Sequence, residues 1–532
     1  MSELIQLAED YYLDNFKRLV ANAEKQYLDL LYPNEIEWIN SFHKLSEDAQ
    51  KLLVRLLSRK GHLFRSDKLN YAEISDIHTA SVELQVNHFI SINEKLDTRH
   101  FCETLLTKPE MKSIWPQLDS KLGKEKWLNQ IDDQPLPDKA FNFDWYKLLN
   151  DEFASVLTCL FFTNTYQDLS QFVLSDLGVY RFEDYLLSAD TRYFDHRSDL
   201  DTCLKLAKLS EQHYQAQKPE VETLSQLAQA LPDKASNPRV ERQRQKFINA
   251  IARDFERHQQ HSAAIELFQQ SQLPPSRERQ VRILVALGEL DKAETLMNQM
   301  MQSPYHLEEM EVAHRLKDQI RRKQGNKIPR KPKPVFSDLH LKLDLSQTRV
   351  EEAVRAHFGD SCYYQENAFL NGLLGLVLWP AIFAPVEGAF NHPFQHHPLD
   401  LYHQEFVLRR EKLIEQCFSD FSTQGWTLLK ERYQTKAGLA NPLVYWGVFT
   451  PEVLEQAANA LTPKQLIPLF KVMLSDLRLF KTGQPDLVYF EDGQLVFFEV
   501  KGPGDKLQEN QIRWFQQFMK HGIRANVCYV NH

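Results

Sequence analysis

The chain has 532 residues, 43% of them hydrophobic and 25% charged, with a net charge of −9. That length exceeds one small core and predicts roughly two to four domains of ordinary globular composition, while the acidic balance excludes attraction to nucleic acid by overall charge, so any phosphate-binding surface has to be local. Cys102, Cys159, Cys203, Cys362, Cys417 and Cys528 are scattered without a CxxC pair, which argues against a zinc site and predicts reduced structural thiols.

The first ten residues are acidic and amphipathic, without a signal-peptide layout. Apolar spacing (Tyr12, Phe16, Leu19, then Tyr27, Leu30, Leu31) predicts helices over residues 1–45, interrupted at Pro33, and a further helix over 48–59. The latter runs into Arg59-Lys60-Gly61-His62-Leu63-Phe64-Arg65. Lys60 and Arg65 thus stand in a basic turn between two amphipathic helices, as in a winged-helix-like module that sets charge on a phosphate backbone; a solvated helix end is the alternative from residue type alone. Residues 116–150, with Pro116, Pro135 and Pro137 among charges, read as an inter-domain connection. Residues 153–185 read as two packed helices ending at Gly178, their aromatic density belonging to a core.

From residue 201 to 323 the pattern gives successive helix pairs, of which 255–270 and 281–301 resemble tetratricopeptide-type hairpins. Two basic clusters lie here. One holds Arg239, Arg242, Arg244 and Lys246, with Arg242 and Lys246 one turn apart; the other holds Arg277, Arg279 and Arg282 after Pro274-Pro275. Guanidinium forks at the starts of adjacent helices suit a terminal phosphate, and a solvated helix face is the other reading of any one of these side chains.

The basic, proline-rich stretch 321–335 predicts an extended linker. Beyond it come a helix over 349–357 and an apolar helix opened by Glu366, a lone acid stabilised at a helix N-terminus by about 0.3–1 kcal/mol. This apolar run, 368–384, is broken by Asn371 and Pro380 and is too short to span a membrane. His392, His396, His397 and His403 cluster without the partner set of a metal site. Residues 401–475 read as helical, and Arg478 and Lys481 just after them are placed to bind phosphates.

Residues 483–502 carry the chemistry. Two apolar runs joined by Glu491-Asp492-Gly493-Gln494 predict a β-hairpin. Strand alternation then puts Glu499 and Lys501 on one face, with Asp486 at the head of the other strand and Val500 pointing into the core. Asp486, Glu499 and the Val500 carbonyl offer hard oxygen ligands for Mg²⁺ or Mn²⁺, and Lys501 is close enough to orient a water for phosphodiester hydrolysis. A helix over 506–521 and a strand over 525–530 follow.

Pro485-Asp486 and Glu499-Val500-Lys501 form the PD-(D/E)xK nuclease signature, and strand, strand, helix, strand is the order that core requires. The wording Gly-x-Pro-Asp-Leu-Val, Glu-Val-Lys-Gly-Pro-x-Asp-Lys-Leu and Gln511-Ile512-x-Trp514 resembles the virus-type replication-repair nuclease (VRR-NUC) domain, and more narrowly that of the Fanconi-associated nuclease family. The Arg-Lys-Gly-x-x-Phe-Arg segment, residues 153–185 and a SAP-like stretch over 96–115 are similar to that family too, and the absence of zinc-finger cysteines suggests its shorter bacterial members.

The resemblance implies a multidomain, mostly α protein. Residues 1–120 would be a winged-helix-like DNA-binding region with the SAP-like module, 121–325 a tetratricopeptide-like helical domain, 326–336 the linker, and 337–532 an α/β nuclease domain with a helical insertion. It implies that Glu366 completes the metal site, that Gln511 supports it, and that Arg242 belongs to a pocket for a 5′ phosphate whose second wall falls near Arg279 and Gln280, with Lys246 and Arg282 beside it. It further implies a metal-dependent 5′-flap endonuclease and 5′→3′ exonuclease acting on branched or nicked duplex DNA in interstrand-crosslink repair, cytoplasmic if bacterial and free of membrane. A Holliday-junction-resolvase-like endonuclease and a catalytically silent repair scaffold are the alternatives.

Overall fold

A computed structural model of the chain describes residues 9–131, 141–164, 167, 181–329 and 334–531. They fall into two compact units, Met1–Gly178 with Phe194–Leu204, and Val179–Tyr193 with Lys205–His532. No described helix is long and apolar enough to cross a membrane.

In the first unit, helices Tyr11–Gln26, Pro33–Lys44 and Glu47–Leu57 bury one stripe each, Tyr12, Phe16 and Leu19 among them. Pro33 opens the second helix at its first position, where a missing N–H costs nothing. Three short strands, β1 (Leu63–Arg65), β2 (Ile90–Ile92) and β3 (Trp145–Leu148), form an antiparallel sheet in the order β1-β3-β2. The central strand therefore comes from the stretch expected to be a connection, and helix Lys124–Ile131 in that stretch buries Trp127, Leu128 and Ile131. This corrects the boundary expected at residue 120: prolines and charges outweighed a four-residue strand signal. The helix Glu152–Phe162 begins the pair expected over 153–185; most of its second half lies outside the described residues.

Arg65 also departs from expectation. Its guanidinium closes on Asp67 at 2.8 and 2.9 Å and on Glu110 at 2.8 and 2.9 Å, donates to the Leu105 carbonyl at 2.9 Å, and lies 3.7 Å from the centre of the Phe143 ring. With its donors used internally and 9% of its side chain exposed, it is a structural cation and not a phosphate contact. Lys60 is exposed.

The second unit begins its helical array with Arg197–Gln215, shared with the first, and continues through Val221–Gln229, Pro238–Arg257, His261–Gln269, Ser276–Leu287, Leu290–Gln302 and Leu307–Lys323. From Val221 each helix packs on the next, as helical hairpins do. Part of the expected linker lies outside the described residues. A five-stranded sheet follows: β4 (Asp338–Lys342), β5 (Cys362–Tyr364), β6 (Leu487–Glu491), β7 (Gln494–Lys501) and β8 (Arg524–Asn531), in the order β4-β8-β7-β6-β5. The β6–β7 hairpin is antiparallel and turns at Asp492 and Gly493, both with positive φ (48° and 73°), the backbone a two-residue hairpin loop demands. β8 runs parallel to both β7 and β4.

Alternation divides the sheet. Val488, Phe490, Leu495 and Phe497 face a core shared with helix Glu509–Lys520 and the insertion helices; Leu487, Val496, Phe498 and Val500 face a second core with Val354, Cys528 and Val530. Tyr185 is buried in the first of these cores, its ring 4.0 Å from that of Phe390 and its hydroxyl donating to the His392 carbonyl at 2.7 Å. A segment expected in the helical domain thus belongs to the core beneath the C-terminal sheet. His392 is pushed down to about 3 by burial and by His396, and its Nδ1 accepts from the Phe394 N–H at 3.2 Å.

Candidate active site

The hairpin register pairs Leu487 with Phe498, which sets Asp486 opposite Glu499 one step beyond the ladder. Asp486, Glu499 and Lys501 therefore extend the face that Phe497 and helix Glu509–Lys520 cover, where apolar packing gives way to charge. The Val500 N–H donates to Asp486 Oδ2 at 2.8 Å and fixes that carboxylate against the neighbouring strand. Glu499 is 1% exposed; its Oε1 accepts from Lys501 Nζ at 2.8 Å and from the Gln511 side-chain amide. Lys501 is itself buried.

Glu366 sits in the turn between β5 and helix Phe369–Val377 and does not open the helix, as the sequence had implied. The turn is stitched to the hairpin by the Gln365 N–H donating to the Asp486 carbonyl at 2.8 Å. Glu366 accepts from the Tyr364 hydroxyl, an exposed neighbour that residue patterns did not single out.

The three carboxylates share a field. Burial first, and the Glu366 charge in part, push Asp486 up to about 6 against the opposing pull of the Val500 N–H and Lys501. Burial and then Asp486 push Glu499 up to about 8, partly offset by Lys501. Among the described residues no three His, Cys, Asp or Glu side chains are drawn tightly enough together to grip an ion as they stand. One atom nevertheless tests whether a cation fits: Glu499 Oε2 is buried and accepts no hydrogen bond. A carboxylate oxygen held out of water without a donor, beside a second carboxylate and a peptide carbonyl, is a donor set that hard divalent ions take.

The basic residues separate into two groups. On helix Pro238–Arg257, Arg242 meets Glu405 at 2.9 Å with 28% of its side chain exposed. Lys246, one turn on, is held below its ordinary value by desolvation and by the Arg242 charge, and the same two causes push His403 down to about 4. Positive charge thus converges on this spot with Glu405 as its partial counterweight. Arg279, by contrast, closes both prongs of its fork on Glu256, and Gln280 is buried and donates to the Ser276 carbonyl at 3.4 Å. Neither offers the open second wall the sequence suggested. Arg282 pairs with Glu278 at 2.8 Å one turn away. Arg478 meets Glu308 at 2.5 Å with about half of each side chain exposed, and Lys481 Nζ lies 4.0 Å over the Tyr402 ring.

Comparison with known proteins matches the family described as "FAN1, HTH domain" to residues 10–91 and the "VRR-NUC domain" to residues 424–532. A Fanconi-associated nuclease 1 homolog of Pseudomonas aeruginosa is 34% identical over 543 residues, covering 98% of this chain and 95% of its own. A homolog of that nuclease from Oryza sativa is 24% identical across 99% of the chain, which spans 63% of the plant protein. The crystal structure of paFAN1 bound to 2nt 5′ flap DNA with gap superposes with a TM-score of 0.86 at 33% identity, covering 99% of both chains.

Proposed function

This chain belongs to the Fanconi-associated nuclease family, and from that premise we infer that it is a structure-specific DNA nuclease whose phosphodiester hydrolysis depends on Mg²⁺ or Mn²⁺. Branched or nicked duplex DNA with a 5′ flap is its substrate class, since solved relatives of 33% identity are complexes with 5′ flap DNA. Incision near the flap followed by 5′→3′ degradation, in the repair of interstrand crosslinks, is the role proposed.

The observation that carries the metal reading is the bare, buried Oε2 of Glu499 beside Asp486. Glu366, Asp486, Glu499 and the Val500 carbonyl would hold the ion. The chemistry such an ion supplies is Lewis-acid activation of the phosphoryl group and of the attacking water. The residues do the rest. Lys501 orients the water, whose oxygen bonds to phosphorus as one phosphodiester P–O bond breaks; the proton the water loses passes to solvent, and the departing oxygen takes one from solvent. The Lys501 charge also offsets negative charge developing on the phosphoryl oxygens. Gln511 holds Glu499 Oε1, leaving Oε2 without a hydrogen-bond donor and available to a cation. Arg242 and Lys246 are proposed to bind the 5′ phosphate, with Arg478 and Lys481 along the flanking strand.

The test incubates labelled 5′-flap and four-way-junction DNA with Mn²⁺ and compares the wild type with Asp486→Ala. Flap cutting by the wild type alone is expected. Preferential cutting of the junction would instead favour a resolvase, and equal products from both proteins would remove the catalytic assignment.

A further inference from the structure

Asn367 follows Glu366 directly and has a φ of +53°, in the left-handed region that asparagine tolerates better than most side chains. That backbone turns its amide toward two elements at once. Nδ2 donates to Glu366 Oε1 at 3.3 Å, and Oδ1 accepts from the Gln484 N–H at 3.1 Å, two residues before Asp486.

A second layer holds this bridge in place. The Asn367 carbonyl accepts from Asn371 Nδ2 at 2.7 Å, and the same nitrogen donates to the Lys481 carbonyl at 2.8 Å. Asn371 Oδ1 accepts from Gln484 Nε2 at 3.0 Å, which also donates to the Phe480 carbonyl at 3.2 Å. Asn371 and Gln484 are 6% and 3% exposed, so amides at these positions are costly unless bonded. Their partners lie on the two chain segments that deliver Glu366 and Asp486, which are otherwise joined by the β5–β6 ladder ending at Tyr364 and Leu487 and, beyond it, by the Gln365-to-Asp486 backbone bond.

We propose that Asn367 is a positioning residue that sets the spacing of Glu366 from Asp486 and thereby the affinity of the site for its divalent cation, an inference resting on the metal reading above. Glycine is the informative substitution, because it accepts the same φ without steric cost and removes only the amide.

The experiment titrates Mn²⁺ into the full-length protein without DNA and follows the free ion by electron paramagnetic resonance, alongside thermal melting and flap cleavage. Asn367→Gly is expected to weaken Mn²⁺ binding by about tenfold, the lower end for residues that orient metal ligands. Its melting temperature should stay near that of the wild type, and its cleavage deficit should disappear at saturating Mn²⁺. Hydrogen exchange at the Gln484 amide should speed up, a readout independent of the metal. Unchanged Mn²⁺ affinity, or a deficit that persists at saturation, would overturn the proposal. Wild type and Asp486→Ala serve as references: if both leave the same free Mn²⁺, the metal reading itself has failed and takes this one with it.

Discussion

Arg513 closes a two-pronged ion pair on Glu311, 202 residues earlier, with Nε–Oε1 at 3.0 Å and Nη2–Oε2 at 2.8 Å. It joins the last helix of the array to the helix that carries Gln511. The Arg513 side chain is 12% exposed and that of Glu311 41%, so water takes up part of what Arg513→Ala removes and the loss should be about 0.5–1 kcal/mol. Differential scanning calorimetry checks this; a matching loss from Glu311→Ala, with no further loss in the double variant, identifies the pair as its source.

Lys501→Met should reduce cleavage by about 10²–10³-fold, the range for losing one group that stabilises charge developing at the reacting centre. DNA binding, read by fluorescence anisotropy, should be preserved. Lys501→Arg should not restore cutting, because a planar fork cannot reproduce a compact ammonium against Glu499. Recovery of wild-type rates in the arginine variant would assign Lys501 a charge role alone.

Arg242→Ala should weaken flap binding and reduce the slope of log affinity against log salt by about 1, as loss of one phosphate contact does. Its effect should be larger on 5′-phosphorylated than on 5′-hydroxyl ends. Cleavage of paired substrates across a salt series measures both; an unchanged preference would separate Arg242 from the terminal phosphate.

Acid should weaken the first unit through Glu110. Burial opposes its charge, but the Thr107 N–H and hydroxyl and the Arg65 guanidinium outweigh it and lower the carboxyl from 4.5 to about 2. A group depressed in the folded state stabilises it above the unfolded value, and that contribution is lost as pH falls from 4.5 towards 2. Melting temperatures over this window should drop more steeply for the wild type than for Glu110→Gln, which starts lower and lacks the titration.

Gly375→Ala should destabilise the nuclease core by about 1–3 kcal/mol, the cost of overpacking. An added Cβ would meet Val444 Cγ2 at 2.7 Å and Leu443 Cβ at 3.0 Å. Since this helix begins three residues after Glu366, part of the displacement should appear as a raised Mn²⁺ requirement in the same cleavage assay.

The hairpin was legible because its logic is local. Two residues apart on a strand means one face, and Asp492-Gly493 fixes the turn, so Asp486, Glu499 and Lys501 converge without knowledge of the rest of the fold. Glu366 was reached only through family resemblance; as a residue it looked like any acid near a helix start. The short edge strands β4 and β5 and the central strand β3 gave too few alternations to outweigh their surroundings. Arg65 shows the other limit. Its charge is written in the chain and Asp67 stands two residues on, but Glu110, the carboxylate that completes the enclosure, lies 45 residues on, and only the folded neighbours decide whether that charge faces a ligand or the protein.

The strand order β1-β3-β2 also has a meaning for the nascent polypeptide. Outer strands made by residue 92 must wait for their middle member at 145–148, leaving two unpaired edges open to misassociation during synthesis. A fragment cut where the helix-turn-helix match ends, at residue 91, would keep that exposure permanently, and its insolubility would say nothing against the module in the intact protein.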